Sequence, residues 1–181
     1  MCSSDLASRW AAFSTVLPIV DKGVHVVTTA GEPGQTCLAL VDGKQDAQHA
    51  LAKRCTYGVV WAHSATLNRE GNALAVAVQP MVAWRELWVF RKTTEGWTVA
   101  VLPPATTNPE LGYAEFAGWT PGGKQILVAR EARGEGKYKR NFEVMQLDTL
   151  LPERQASDPS LLGAFQRWQD PAWKRDSVSV R

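Results

Sequence analysis

The chain has 181 residues, of which 45% are hydrophobic and 21% charged, with a formal net charge of +2 and a pI near 8.5. That balance argues against a nucleic-acid-binding surface, and no segment approaches the ~18 consecutive apolar residues needed by a membrane-spanning helix. The expectation is a soluble globular product with no nucleic-acid partner and no membrane span.

In chain order, Met1-Cys2-Ser3-Ser4-Asp5-Leu6 comes first. This string is what a common sequencing-adapter end encodes when read from a GTG start. Residues 1–6 are therefore expected to be a non-native leader, excluded from fold reasoning, with the native chain truncated at that end. Leu6 to Phe13 has room for a helical turn or two. Val24 to Thr29 reads as a strand, Ala30-Gly31-Glu32-Pro33-Gly34-Gln35 as a turn, and Cys37 to Asp42 as the next strand.

Asp42-Gly43-Lys44-Gln45-Asp46 is a further turn region, leading to a strand that contains Cys55. A hairpin centred on Asp46 pairs residues whose numbers sum to 92, as 37 and 55 do. Leu38 then faces Arg54, Leu40 faces Ala52, and the two sulfurs meet across the ladder. The expectation is a Cys37–Cys55 disulfide, the alternative being two buried free thiols. A disulfide places the protein in an oxidising compartment, exported and periplasmic, against a cytoplasmic alternative.

From here a turn-and-strand unit recurs. Leu67-Asn68-Arg69-Glu70-Gly71-Asn72 runs into Ala73 to Ala77, and Trp119-Thr120-Pro121-Gly122-Gly123-Lys124 runs into Gln125 to Ala129. Trp173-Lys174-Arg175-Asp176-Ser177 runs into Val178 to Arg181. The leading residues are 52 and 54 positions apart. Sliding by 52 lays Trp61 on Tyr113, Gly71 on Gly123 and Val76 on Val128. Further on the offset grows to 57, with the added residues near Arg133-Gly134-Glu135-Gly136-Lys137, where a hairpin loop lengthens freely. No window sustains a helical period, although Ser160 to Phe165 could make a short helical turn.

About fifty residues holding about four strands is the size of a β-propeller blade. The expected fold is all-β, a partial β-propeller of about three four-stranded antiparallel blades plus a C-terminal strand pair. The units are assigned to 13–55, 57–102, 112–157 and 165–181. Because neighbours cover both faces of a blade, runs such as Leu74 to Val78 are apolar without alternation. Trp61, Tyr113 and Phe116 are expected to pack between blades.

Trp119-Thr120-Pro121-Gly122-Gly123-Lys124-Gln125-Ile126, and more loosely Pro171 to Asp176, resemble the TolB-like (WD40-like) β-propeller repeat. That family carries a Pro-x-Trp-Ser-Pro-Asp-Gly-Lys hairpin before an apolar strand. Gly122 stands where Asp is expected, and Asn68-Arg69-Glu70-Gly71 keeps only the Gly. The resemblance implies a fold and an interaction role, with no ligand specified.

Catalytic patterns are missing: there is no Gly-x-Ser-x-Gly, no phosphate loop and no His-Glu-x-x-His. His49, Cys55 and His63 match no zinc spacing, His63 and Ser64 point to opposite strand faces, and Glu110, Glu115 and Glu131 define no pair. Arg133, Lys137, Lys139 and Arg140 read as a solvated hairpin, and Lys92 as ordinary surface charge.

No catalytic, cofactor-binding or metal residues are assigned. Met81 and Trp84 in one connection, and Asn108 and Glu110 in another, are the candidate partner-binding loop residues, with Trp84 as core or edge packing the competing reading. The expected function is a non-catalytic propeller module that binds a protein, peptide or glycan. The alternative is the propeller portion of an enzyme, either a channel-sited hydrolase or lyase or the gating propeller of a serine peptidase.

Overall fold

The protein is described by a computed structural model at residues 23–43, 47–106 and 111–176. The six-residue leader, the segment Leu6 to Phe13, the loop residues Asn108 and Glu110 and the strand expected at Val178 to Arg181 lie outside the described residues. The described chain is all-β, with two sheets and short helices near its C-terminal end.

The first sheet contains β1 (His25–Ala30), β2 (Thr36–Val41) and β3 (Ala52–Thr56), antiparallel in that order. The Gly31–Gln35 turn closes through Gly31 N–H donating to Gln35 O at 3.0 Å. The β2–β3 register sets Cys37 opposite Cys55, Leu38 opposite Arg54 and Leu40 opposite Ala52. Cys37 and Cys55 form a disulfide, with Cα atoms 3.9 Å apart. The hairpin arithmetic of the sequence thus holds at each of these pairs.

The second sheet contains two consecutive antiparallel meanders. One is β4 (Val59–Leu67), β5 (Ala73–Met81), β6 (Trp84–Thr93) and β7 (Gly96–Leu102). The other is β8 (Leu111–Trp119), β9 (Gln125–Gly134), β10 (Lys137–Gln146) and β11 (Pro152–Ala156). A short parallel bridge between β6 and β8 joins them, through Trp84 beside Gly112 and Arg85 beside Tyr113.

Three apolar layers hold these sheets together, and β5 explains why its sequence is apolar throughout. Successive strand residues point to opposite faces. Leu74, Val76 and Val78 pack with Leu38 and Leu40 of the first sheet and with Trp88 and Phe90. Ala73 and Ala75, on the other face, pack with Leu87, Ala114, Ile126, Val128 and Met145. The small alanines let the meanders approach closely. Phe90 and Leu38 are fully buried, each stabilising the layer by about 2 kcal/mol. Arg54 of β3 lies over the Trp88 ring at 5.2 Å, a further tie between the two sheets.

The third layer corrects the sequence reading. The strand pair expected from Phe165 is replaced, as far as Asp176, by α1 (Gly163–Trp168) and α2 (Pro171–Asp176), after a 3-10 turn at Pro159–Leu161. The cause is local. The Asp170 side chain accepts the Ala172 N–H at 2.7 Å, and Pro171 opens the helix, where its missing N–H costs nothing. Phe165 and Trp173 pack edge-on with Phe142, at centroid distances of 5.6 and 6.2 Å, over Leu127, Ala129 and Val144. These helices cover that face of the second meander. Gly118, with φ of +154°, admits them: Asp170 N–H donates to Ala117 O at 2.7 Å, and a Cβ at Gly118 would collide with Trp168 O.

Candidate functional site

Antiparallel connections alternate between two ends of a meander, so the second sheet has two rims of different chemistry. At one rim lie the β4–β5 and β8–β9 turns. In the first, buried Asn68 accepts the Asn72 and Ala73 N–H groups on Oδ1 at 3.0 and 3.1 Å, and its own N–H donates to Ala73 O at 2.9 Å. In the second, 52 residues on, Thr120 N–H donates to Gln125 O at 3.3 Å. Gly122 and Gly123 supply the two left-handed conformations, at φ of +90° and +62°.

The two turns then contact each other. Gly122 N–H donates to Glu70 Oε1 at 2.7 Å, and Asn72 Nδ2 donates to Gly123 O at 3.3 Å. Arg91 at the end of β6 donates to the carbonyl oxygens of Leu147 and Asp148 in the β10–β11 turn. One guanidinium thereby binds the second meander to the first.

Between these turns opens a groove of about 1010 Å³. Asn72, Arg91, Lys92, Thr93 and Thr94 line it from the first meander, and Lys124, Gln125, Gln146, Asp148 and Glu153 are among its lining residues from the second. Glu153 accepts Gln125 Nε2 at 2.6 Å and Asp148 Oδ1 accepts the Thr149 N–H at 2.8 Å, so both carboxylates are engaged. Lys92 and Lys124 are exposed, and among the described residues no hydrogen bond or ion pair holds either ammonium. The groove can therefore bind by charge and by hydrogen bonding.

At the opposite rim a row of buried charge crosses the second meander on the face that the helices cover, and Arg85 joins it from the first meander. Arg85 of β6, Tyr113 of β8, Glu131 of β9 and Arg140 of β10 stand side by side on one cross-strand row. Arg85 lies 5.4 Å over the Tyr113 ring, Tyr113 donates to Glu131 Oε2 at 2.7 Å, and Arg140 Nη2 donates to the same oxygen at 3.0 Å. Glu131 is 2% exposed, so each of these donors offsets the cost of burying its charge. Burial first, and then the Glu131 carboxylate, push the Tyr113 hydroxyl pKa well above the ordinary tyrosine value. The hydrogen bond to Glu131 raises Arg140 likewise. Glu115 takes Arg85 on one oxygen and Trp173 Nε1, at 3.0 Å, on the other. On the reverse face Arg130 Nε donates to Glu143 at 3.0 Å. These acids and bases pair with one another, while Arg85 Nε is buried with no hydrogen-bond partner among the described residues.

The candidate loop residues separate. Met81 is 47% exposed, and Val82 beside it projects into solvent, but Trp84 is 5% exposed and takes the packing role. A tip presenting both side chains is therefore not formed. Asn108 and Glu110 lie outside the described residues. Tyr113 is buried and Phe116 packs on the layer between the meanders, but Trp61, expected beside them, is 38% exposed. It sits on β4, the terminal strand of its sheet, with its ring edge-on to His63 at 5.8 Å.

Ser64 Oγ donates to Trp61 O at 2.7 Å and accepts the Ala77 N–H at 2.8 Å, filling the β4 irregularity. Cys55 is committed to the disulfide, and among the described residues no cluster of three or more His, Cys, Asp or Glu is placed to hold a metal. Arg133, Lys137 and Lys139 are exposed on the β9–β10 hairpin, as a solvated loop would have them.

The groove escaped the sequence reading because Lys92 and Lys124 belong to different meanders. The 52-residue offset of the two turns was the available signal, since equivalent turns of stacked units come to lie side by side.

No protein-family model matches this chain, and neither a curated protein nor a solved structure matches it. No helix among the described residues is long and apolar enough to cross a membrane.

Proposed function

We propose that the chain is a non-catalytic binding module of an exported protein, built from propeller-type blades of the TolB-like kind, which holds its ligand in the groove between the β4–β5 and β10–β11 turns. One observation carries this reading: two four-stranded meanders pack on each other, and beside their hydrogen-bonded β4–β5 and β8–β9 turns a polar cleft stays open between Arg91 to Thr94 and Gln146 to Asp148. Ligand sites commonly form where rigid layers present their loops. The amides, hydroxyls and charges of the lining are suited to holding a peptide or glycan. The Cys37–Cys55 disulfide supports passage through an oxidising compartment.

The test is chemical-shift mapping on the isotopically labelled full chain, titrated with a panel of short peptides and oligosaccharides. Perturbations are expected at Lys92, Thr93, Thr94, Lys124 and Asp148, with the ligand recovered unchanged. Shifts confined to the opposite rim, or turnover of the ligand, would overturn the reading.

A further inference from the structure

We infer that the ligand of this groove is an acidic oligosaccharide, held through its carboxylate groups by Lys92 and Lys124; this rests on the proposed binding role of the groove.

The charges give the sign. Three cationic side chains (Arg91, Lys92 and Lys124) line the groove against two carboxylates, Asp148 and Glu153. The carboxylates already accept protein hydrogen bonds, and Arg91 is occupied by the Leu147 and Asp148 carbonyl oxygens. The two lysines, one from each meander, are exposed lining cations whose ammonium groups have no partner among the described residues. Each offers three donors on a flexible stem, suited to carboxylates spaced along a chain.

The rest of the lining favours a sugar over an acidic peptide. Thr94 and Gln146 offer a hydroxyl and an amide, which match sugar hydroxyls, and Leu147 is the one aliphatic lining side chain. Acidic-peptide sites rely on clustered arginines, and the one arginine among the described lining residues, Arg91, is turned onto backbone carbonyl oxygens. Among the described residues no aromatic ring lines the groove on which a neutral sugar face could stack. Charge and hydrogen bonding therefore supply the affinity. A volume of about 1010 Å³ lies at the upper end of the small-ligand range, enough for a short oligomer.

The experiment is calorimetric titration of the full chain with a galacturonate pentamer, its fully methyl-esterified neutral form, and a hexamer of glutamate. The pentamer is expected to bind best, and more weakly as salt rises. Lys92→Gln with Lys124→Gln should weaken it about tenfold or more without changing the melting curve, and Lys92→Arg with Lys124→Arg should restore it. Equal binding of the esterified pentamer, indifference to the paired glutamine substitutions, or preference for the glutamate hexamer would overturn the inference. If the esterified pentamer binds equally while shifting the groove amides, the acidic ligand fails and the binding role survives. If no probe in either panel shifts those amides, both fail.

Discussion

The two rims of the second sheet are built by different means. At the groove rim, side chains reach across to backbone: Glu70 to the Gly122 N–H, Asn72 to Gly123 O and Arg91 to the Leu147 and Asp148 carbonyls. At the other rim, side chains meet side chains in the row from Arg85 through Tyr113 and Glu131 to Arg140. Contacts to backbone fix the spacing of the turns and leave the space between them free for other side chains. The row of paired charges lies instead on the helix-covered face of the second meander, where Glu131 is 2% exposed. The division of labour between rims follows from this difference.

Breaking the charged row should have the largest effect. Glu131→Ala leaves Tyr113 and Arg140 facing a buried gap, and a loss of about 3 kcal/mol is expected in urea denaturation. A loss below about 1 kcal/mol would mean that the row contributes little, and the contrast between rims would fall. At the groove rim, Asn68→Ala removes the acceptor of two backbone N–H groups in a buried turn, for about 2 kcal/mol. It should also weaken ligand binding at the groove, which Glu131→Ala should leave intact in the folded fraction; chemical-shift mapping of both variants reads this.

Tyr113 sharpens the comparison through pH. Below pH 10 the folded and unfolded chains both keep its proton, and the full contribution to stability is present. Above that pH the unfolded chain releases the proton while the folded chain retains it, so stability falls by up to about 1.4 kcal/mol per pH unit. Tyr113→Phe should remove this component, read as the difference between the two proteins in urea titrations at pH 9 and 11. Equal slopes would show that the hydroxyl is not held by Glu131. The smallest effect belongs to Glu70→Gln, an exposed contact to the Gly122 N–H, at about 0.5 kcal/mol by thermal melting.

How much of this was legible depended on distance along the chain. The Cys37–Cys55 register followed from counting, because a hairpin ties pairing to loop position. The β5 run was legible as a strand buried on both faces, since apolar side chains without alternation require cover on each side. The helices at Gly163–Trp168 and Pro171–Asp176 were half legible. Ser160 to Phe165 read as a helical turn, but likeness to a turn motif obscured the Asp170-Pro171 start signal. The Arg85–Tyr113 neighbourhood and the groove were illegible: each depends on how separate meanders dock, which no local pattern encodes. Trp61 failed for a related reason, since its exposure depends on what lies beyond an edge strand.

The roof over the last sheet face is thin: two helices of six residues each, seated on Phe142 and Val144 and admitted by the bare backbone of Gly118. Helices this short have little stability of their own and fray before strands separate. Mild warming should therefore unroof an apolar sheet surface of Ala117, Leu127, Ala129, Phe142 and Val144 while the strands beneath remain paired, and such surfaces adhere to their own kind. Gly118→Ala, whose Cβ would meet Trp168 O, should loosen the helices and promote self-association, read by light scattering on warming.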